Sequence, residues 1–300
     1  RDKIILRIFG SPDVRQIDGL AGADPLTSKL AIIGPPTHPE ADVDYTFAQV
    51  AVDKPLVSYK GNCGNISSGV GVYAIRQGMI KPVEPFTKVV IFNTNTAKII
   101  EALVPVKDGE VVFEGEYSIA GVPGQGAKIV MNFPNSAGSK TGRLLPTGNV
   151  RDTLSLRDGR TIEVSLVDAA NPSVFVKAAD IGLTGAELPE DCEANPGILA
   201  VMEEIRTRAG VMMGLAKTEE QVGPAVPKVA FVAPARDYAT SDNQLIRSGE
   251  VDLLARTKAM AEMHKTYAVT GGICIATAAM IEGTVVNDVC SPTGKAKGEI

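Results

Sequence analysis

The chain has 300 residues, 44% hydrophobic and 22% charged, enough to bury the core of one large or two medium globular domains. Its 30 basic and 35 acidic residues leave a formal net charge of −5, which offers no basic surface to nucleic acid or an anionic membrane. No apolar stretch reaches bilayer-spanning length, no leader pattern stands at the start, and four widely spaced cysteines without a C-x-x-C pair point to reduced thiols in a cytoplasmic protein.

Taken in order, residues 1–9 read as a helix tail that begins without Met, an opening expected of a chain lacking its natural start. A strand is predicted over 45–53, then a helix over 67–77 with Gly78 placed for a C′ position. Strands follow at 88–93, 97–106 and 111–114, the last two joined by a hairpin at Asp108-Gly109. The Gly-, Ser- and Thr-rich loop 135–148 reads as the boundary between two domains, 1–140 and 141–300. Beyond it the same hairpin device recurs, with strands 153–156 and 161–168 around Asp158-Gly159, and a strand at 173–177 after a turn at Asn171-Pro172. A helix over 196–209, a buried strand over 228–233, and helices over 251–267 and 271–281, the last ending near Gly283, complete the chain. The class is α+β, each half holding several strands and one helix entered through a glycine-rich turn.

Three places carry candidate chemistry. In Gly61-Asn62-Cys63-Gly64-Asn65-Ile66-Ser67-Ser68, Gly64 permits a sharp turn and Asn65 or Ser67 can cap a helix. The first-turn N–H groups can then bind a carboxylate, and the helix start favours a thiolate at Cys63. In Thr270-Gly271-Gly272-Ile273-Cys274 a small capping residue and two glycines again precede an apolar helix. Two such ends facing each other would clamp a diacid; as ordinary caps on buried helices they would leave Cys63 and Cys274 as packed small hydrophobes. Finally, Thr27-Ser28-Lys29 places a lone lysine before an apolar run. Desolvation there favours the neutral amine that a base requires, whereas a solvated strand end would leave Lys29 without a role. With only His38 and His264 and no phosphate-loop pattern, neither metal, nucleotide nor flavin is expected. On the predicted 251–267 helix, His264 reads as a hydrogen-bonded structural residue and Arg256 as a surface salt-bridge former.

Several motifs in order resemble the methylitaconate Δ-isomerase and 2-methylaconitate isomerase (PrpF-like) family: Gly10-Ser11-Pro12-Asp13, Ile17-Asp18-Gly19, Thr27-Ser28-Lys29, Gly61 to Ser68, Asn93-Thr94-Asn95-Thr96, and Leu145-Pro146-Thr147-Gly148-Asn149. The resemblance spans nearly the whole chain. It implies two pseudo-symmetric domains similar to diaminopimelate epimerase, each with strands wrapped around a central helix and with the site between them. It implies a cofactor-independent 1,3-allylic proton shift in a small unsaturated di- or tricarboxylate such as methylitaconate, methylaconitate or oxalomesaconate. Lys29 would then be the acid/base, Cys63 a neighbour or second acid, and Thr27, Ser28, Gly64, Asn65, Ser67, Asn95, Asn171, Thr270, Gly271 and Gly272 the substrate-binding wall. The resemblance further implies a homo-oligomer with no nucleic-acid or membrane partner.

Two departures stand out. Val269 occupies the place of the second cysteine in the Ala-Cys-Gly-Thr-Gly turn of two-thiol epimerases, which speaks against a two-thiol racemase. The family's first strand and its Met-Arg-Gly-Gly-Thr-Ser-Lys-like loop are expected before Arg1, and its end beyond Ile300. A non-catalytic polycarboxylate-binding protein and an epimerase or racemase of the same fold remain the alternatives.

Overall fold

The computed structural model describes residues 1–119, 122–259 and 262–300. They divide into two compact units, Arg1–Ser136 and Ala137–Ile300.

The first unit opens with α1 (Asp2–Phe9), whose C′ glycine, Gly10, takes the left-handed conformation at φ 79°. Then come β1 (Lys29–Gly34), β2 (Val43–Val50), β3 (Val57–Ser58), α2 (Gly64–Arg76), β4 (Phe86–Asn93), β5 (Lys98–Lys107), β6 (Glu110–Val111) and β7 (Val130–Asn132). The sheet runs β1-β2-β4-β5-β6, with β3 on β2 and β7 on β5; β2 and β4 are parallel and the other pairs antiparallel. Alternation along β2 sends Val43, Tyr45 and Phe47 to a core under α2, and Ala48 and Val50 to a core under α1. Ile91 and Ile100 are 0% and 2% exposed in the α2 core, each burial worth about 1.5–3 kcal/mol. Helix α2 lies close to the sheet because of Gly71, where a Cβ would stand 2.9 Å from Val104 Cγ2. The β5–β6 hairpin turns at Asp108 and Gly109, both at positive φ, as the Asp-Gly signal requires.

The second unit contains β8 (Asp152–Ser155), β9 (Thr161–Ala169), β10 (Asn171–Lys177), α3 (Pro189–Glu193), α4 (Pro196–Met212), β11 (Lys228–Pro234), a small hairpin of β12 (Tyr238–Ala239) and β13 (Leu245–Ile246), β14 (Leu253–Ala259), β15 (Glu262–Met263), α5 (Val269–Met280), α6 (Val285–Val289) and α7 (Pro292–Lys297). Its main sheet runs β15-β14-β11-β10-β9-β8, parallel only between β10 and β11. Both faces are covered, so β10 and β11 read as continuous apolar runs. Val174, Val176, Val229 and Phe231 face the α4 side, and Phe175, Ala230 and Val232 the α5–α6 side.

The wiring of the two units corresponds. An antiparallel pair (β1–β2, β9–β10) leads through a helical crossover (α2, α4) to a parallel strand (β4, β11) and then an antiparallel one (β5, β14). This is the α+β class expected; among the described residues the second unit carries α3, α6 and α7 beyond the helices expected there.

The helix expected over 251–267 is instead β14 and β15; residues 260 and 261 of that range lie outside the described residues. The apolar spacing there suits either period. Pairing with β11, where Phe231 stands opposite Arg256, decides for a strand. The turn expected at Asn171-Pro172 centres one residue earlier, on Ala170 at φ 60°, so that Asn171 pairs with Ala169 inside the ladder.

Candidate active site

Lys29 opens β1 opposite Gln49 and is partly exposed. Its neighbours Ala31 and Ile33 pack on the α2 core, which contains Cys63, while Leu30 and Ile32 pack on the α1 core. Period-two alternation therefore puts Lys29 on the same sheet face as Cys63. The turn before it folds back on Asp24, whose carbonyl accepts from Ser28 N–H (3.0 Å) and from Thr27 N–H and Oγ1 (3.1 Å each). Thr27 is exposed. Ser28 is fully buried, and its hydroxyl donates to Gln16 Oε1 at 3.1 Å.

Cys63 is the N-cap of α2, 8% exposed, with extended backbone and no side-chain capping bond. Asn65 and Ser67, expected as caps, instead lie inside the helix. The Ser67 hydroxyl is buried and returns to Gly64 O at 2.6 Å, within its own turn. The Cys63 side chain makes no capping bond to this helix start, which is the kind of helix end that can bind an anion.

The segment holding Cys63 is pinned by buried partners. Tyr45, fully buried, donates its hydroxyl to Cys63 O at 3.2 Å; burial, and then the nearby Cys63, push that phenol far above its ordinary range. Asn93 Nδ2 donates to Asn62 Oδ1 at 2.8 Å. Asn95 continues the β2 ladder where β4 ends: its Oδ1 accepts from Phe47 N–H (2.7 Å) and its Nδ2 donates to Phe47 O (2.9 Å) and Tyr59 O (2.8 Å). The Asn95 amide, expected at the substrate wall, thus binds backbone.

The second unit holds Asn171, Thr270, Gly271 and Gly272. Asn171 is buried at the start of β10. Thr270 and Gly271 are buried, and both glycines fall within the first turns of α5, which begins at Val269 with Ala268 as its uncapped N-cap, rather than ahead of the helix as expected. Gly271 admits the ring of Tyr267, which would lie 3.1 Å from a Cβ there. Cys274 is a packed thiol: burial pushes it up to about 12, and its Sγ meets Val167 O at 3.4 Å. Arg256 is engaged through Nε to Glu187 O (2.9 Å) and stacks over Tyr238, and His264 Nδ1 pairs with Thr266 O.

Sequence reasoning passed over Gln16, Gln49, Tyr45 and Asp168. Asp168, with no exposure, accepts from Ser139 Oγ (2.6 Å), Lys140 N–H (2.9 Å), Thr141 N–H (2.8 Å) and Thr141 Oγ1 (2.9 Å), fixing the loop that carries Lys140. Burial lowers the Lys140 amine, with Asp168 opposing. Only the two glutamines lack any sequence signal; Tyr45 stood in a predicted strand and Asp168 closed one. Among the described residues no helix is long and apolar enough to cross a membrane, and no group of His, Cys, Asp and Glu could hold a metal ion.

The chain is similar to known proteins over nearly its whole length. The chain is 54% identical over 298 residues to the 3-methylitaconate isomerase of Eubacterium barkeri, covering 98% of this chain and 78% of that protein. It is 38% identical over 298 residues to the 2-methyl-aconitate isomerase of Shewanella oneidensis (96% and 75%), and 40% over 289 residues to the (4E)-oxalomesaconate Delta-isomerase of a Novosphingobium species (96% and 75%). The crystal structure of a methylitaconate-delta-isomerase superposes with a TM-score of 0.83 at 54% identity, covering 98% of this chain and 77% of that one. The sequence model of the PrpF protein family matches residues 1–300, and the chain belongs to that family.

Proposed function

We propose that this chain is an isomerase that moves a proton, and with it a double bond, within a small unsaturated di- or tricarboxylate, using no cofactor. What supports the reading is that alternation along β1 directs Lys29 to the face on which Cys63 packs, at a helix start that the Cys63 side chain does not cap, in a chain 54% identical to a 3-methylitaconate isomerase. In this reading the neutral Lys29 amine takes an allylic C–H proton next to a carboxylate. The electron pair passes into a dienolate spread over that carboxylate, which the α2 N–H groups stabilise. The proton returns at the far allylic carbon, from Lys29 or from the Cys63 thiol, and the double bond has moved. Position 269 holds valine, so a two-thiol inversion has no second thiol there. The four free, buried cysteines favour a reducing compartment such as the cytoplasm. The resemblance to the family also supports a homo-oligomer, which sedimentation tests.

Incubation with methylitaconate, methylaconitate or oxalomesaconate in deuterated water, followed by proton NMR, tests the reading. Isomerisation with deuterium uptake is expected, and Lys29→Ala should lose roughly 10²–10⁴-fold in rate. Cys63→Ser should lose less if the thiol only shapes the site. Binding without exchange would establish a carboxylate-binding protein instead, and inversion of a stereocentre without double-bond migration would establish an epimerase.

A further inference from the structure

Lys29 follows a stretch, residues 10–28, without helix or strand, yet that stretch is not loosely held. Gln16 is 2% exposed, in a left-handed conformation at φ 46°. Its Oε1 accepts from Ala23 N–H (2.8 Å) and Ser28 Oγ (3.1 Å), and its Nε2 donates to Ser11 Oγ (3.1 Å). From the other side, Gln49 Nε2 donates to Ser28 O and Pro25 O, each at 2.9 Å, and Val50 N–H donates to Ser28 O at 3.0 Å. Ser28, itself without exposure, is therefore gripped through its hydroxyl by one glutamine and through its carbonyl by another. A buried side chain in a strained backbone region persists only where its surroundings hold it there, and a buried amide without its partners costs free energy. The residue that follows this arrangement is Lys29.

We infer that Gln16 is a positioning residue for Lys29: with Gln49 it clamps Ser28 so that the amine one residue later starts from a fixed point. The inference rests on the acid/base role proposed for Lys29. A displacement of about 1 Å at a reacting group can cost on the order of 100-fold in rate, so removing the clamp should act on turnover rather than on substrate affinity. Gln16→Met keeps the length of the side chain and loses both hydrogen-bonding atoms; Gln16→Glu keeps the acceptors for Ala23 and Ser28.

The test measures kcat and KM for double-bond migration in methylitaconate, the melting temperature, and the 13C-methyl NMR signal of Lys29 after reductive methylation, assigned through Lys29→Ala. Gln16→Met should lower kcat roughly 10- to 100-fold, leave KM within a few-fold, and shift or broaden the Lys29 signal. Gln16→Glu, which keeps both acceptor contacts, should recover most of the loss. Should Gln16→Met not fold, Ser28→Ala removes the same contact from the other side and should reproduce the kcat loss. Wild-type kcat in the folded Met variant, or an unmoved Lys29 signal, would overturn the inference. If the wild-type protein does not isomerise these acids, the proposed function falls and the clamp stands or falls on the Lys29 signal alone.

Discussion

Replacement of Asp168 offers a quantitative check on how the second unit holds its lysine-bearing loop. Among the described residues, four donors on this carboxylate come from Ser139, Lys140 and Thr141, and the residue has no exposure. Asparagine can keep its Oδ1 toward Lys140 N–H and both Thr141 donors, while its Nδ2 faces the Ser139 hydroxyl, which turns to accept. What Asp168→Asn loses is the charge assistance on these bonds, about 2 kcal/mol in total. Asp168→Ala leaves two backbone N–H groups unpaired at about 1–3 kcal/mol each, while the Thr141 hydroxyl still reaches Arg143 O at 3.0 Å. About 4 kcal/mol is expected. Urea unfolding, together with hydrogen exchange at the Lys140 and Thr141 amides, measures both. At about 1.4 kcal/mol per decade, exchange should quicken roughly 30-fold for asparagine and nearly 1,000-fold for alanine. An asparagine variant within about 0.5 kcal/mol of wild type, or an alanine variant no worse than asparagine, would refute the reasoning.

Three further outcomes are expected. Glu203 binds Arg206 through Nε (2.9 Å) and Nη2 (2.7 Å) and Lys258 Nζ at 2.6 Å; Arg206 foremost, and Lys258, hold its carboxyl down to about 2 against burial. Because the folded value lies below the ordinary 4.5, this stabilisation is complete above pH 4.5 and lost as pH falls toward 2. The 43% exposed side chain limits it to about 1–2 kcal/mol, so Glu203→Gln should shift the urea midpoint at pH 7 and progressively less between pH 4.5 and 3; a pH-independent difference would contradict this. Gly71→Val should cost about 1–3 kcal/mol or prevent folding, since even a Cβ there crowds Val104, and an unchanged melting temperature would mean α2 does not lie where described. Burial pushes Cys192 up to about 11 and Cys274 up to about 12, so iodoacetamide at mildly alkaline pH should leave both unmodified in the folded protein, and rapid labelling of Cys274 on peptide mapping would show that α5 is not packed.

What the sequence disclosed followed its periodicities. The Asp-Gly pairs marked both hairpins, the apolar run of β11 announced a buried strand, and the glycine after residue 77 marked the end of α2. The failures came where a local signal was ambiguous or where partners are distant in sequence. Residues 251–258 carry apolar side chains that suit a helix as well as a strand, and only the ladder to β11, some 25 residues earlier, separates the two. Asn65 and Ser67 are good caps by type, yet the helix starts earlier, at Gly64, and places them inside its first turns. Asn95 and Ser28 were visible as polar residues in motifs. Whether each faces a ligand or the backbone depends on Phe47, Tyr59 and Gln16, which no spacing rule connects to them.

The choice of amides at these positions follows from what they replace. Gln49 must donate to two carbonyls, which a carboxylate cannot do, and Asn95 must accept from Phe47 N–H and donate to Phe47 O, as a neighbouring strand would. Gln16 accepts twice and donates once, and one of its bonds is to Ser28, the residue before Lys29. A glutamate there would meet the acceptor requirement but could not donate to Ser11 Oγ and would bury a negative charge. Carboxamides supply both halves of the hydrogen-bond pattern without charge. The segments leading to Lys29 and Cys63 can therefore leave regular structure and still be held in place.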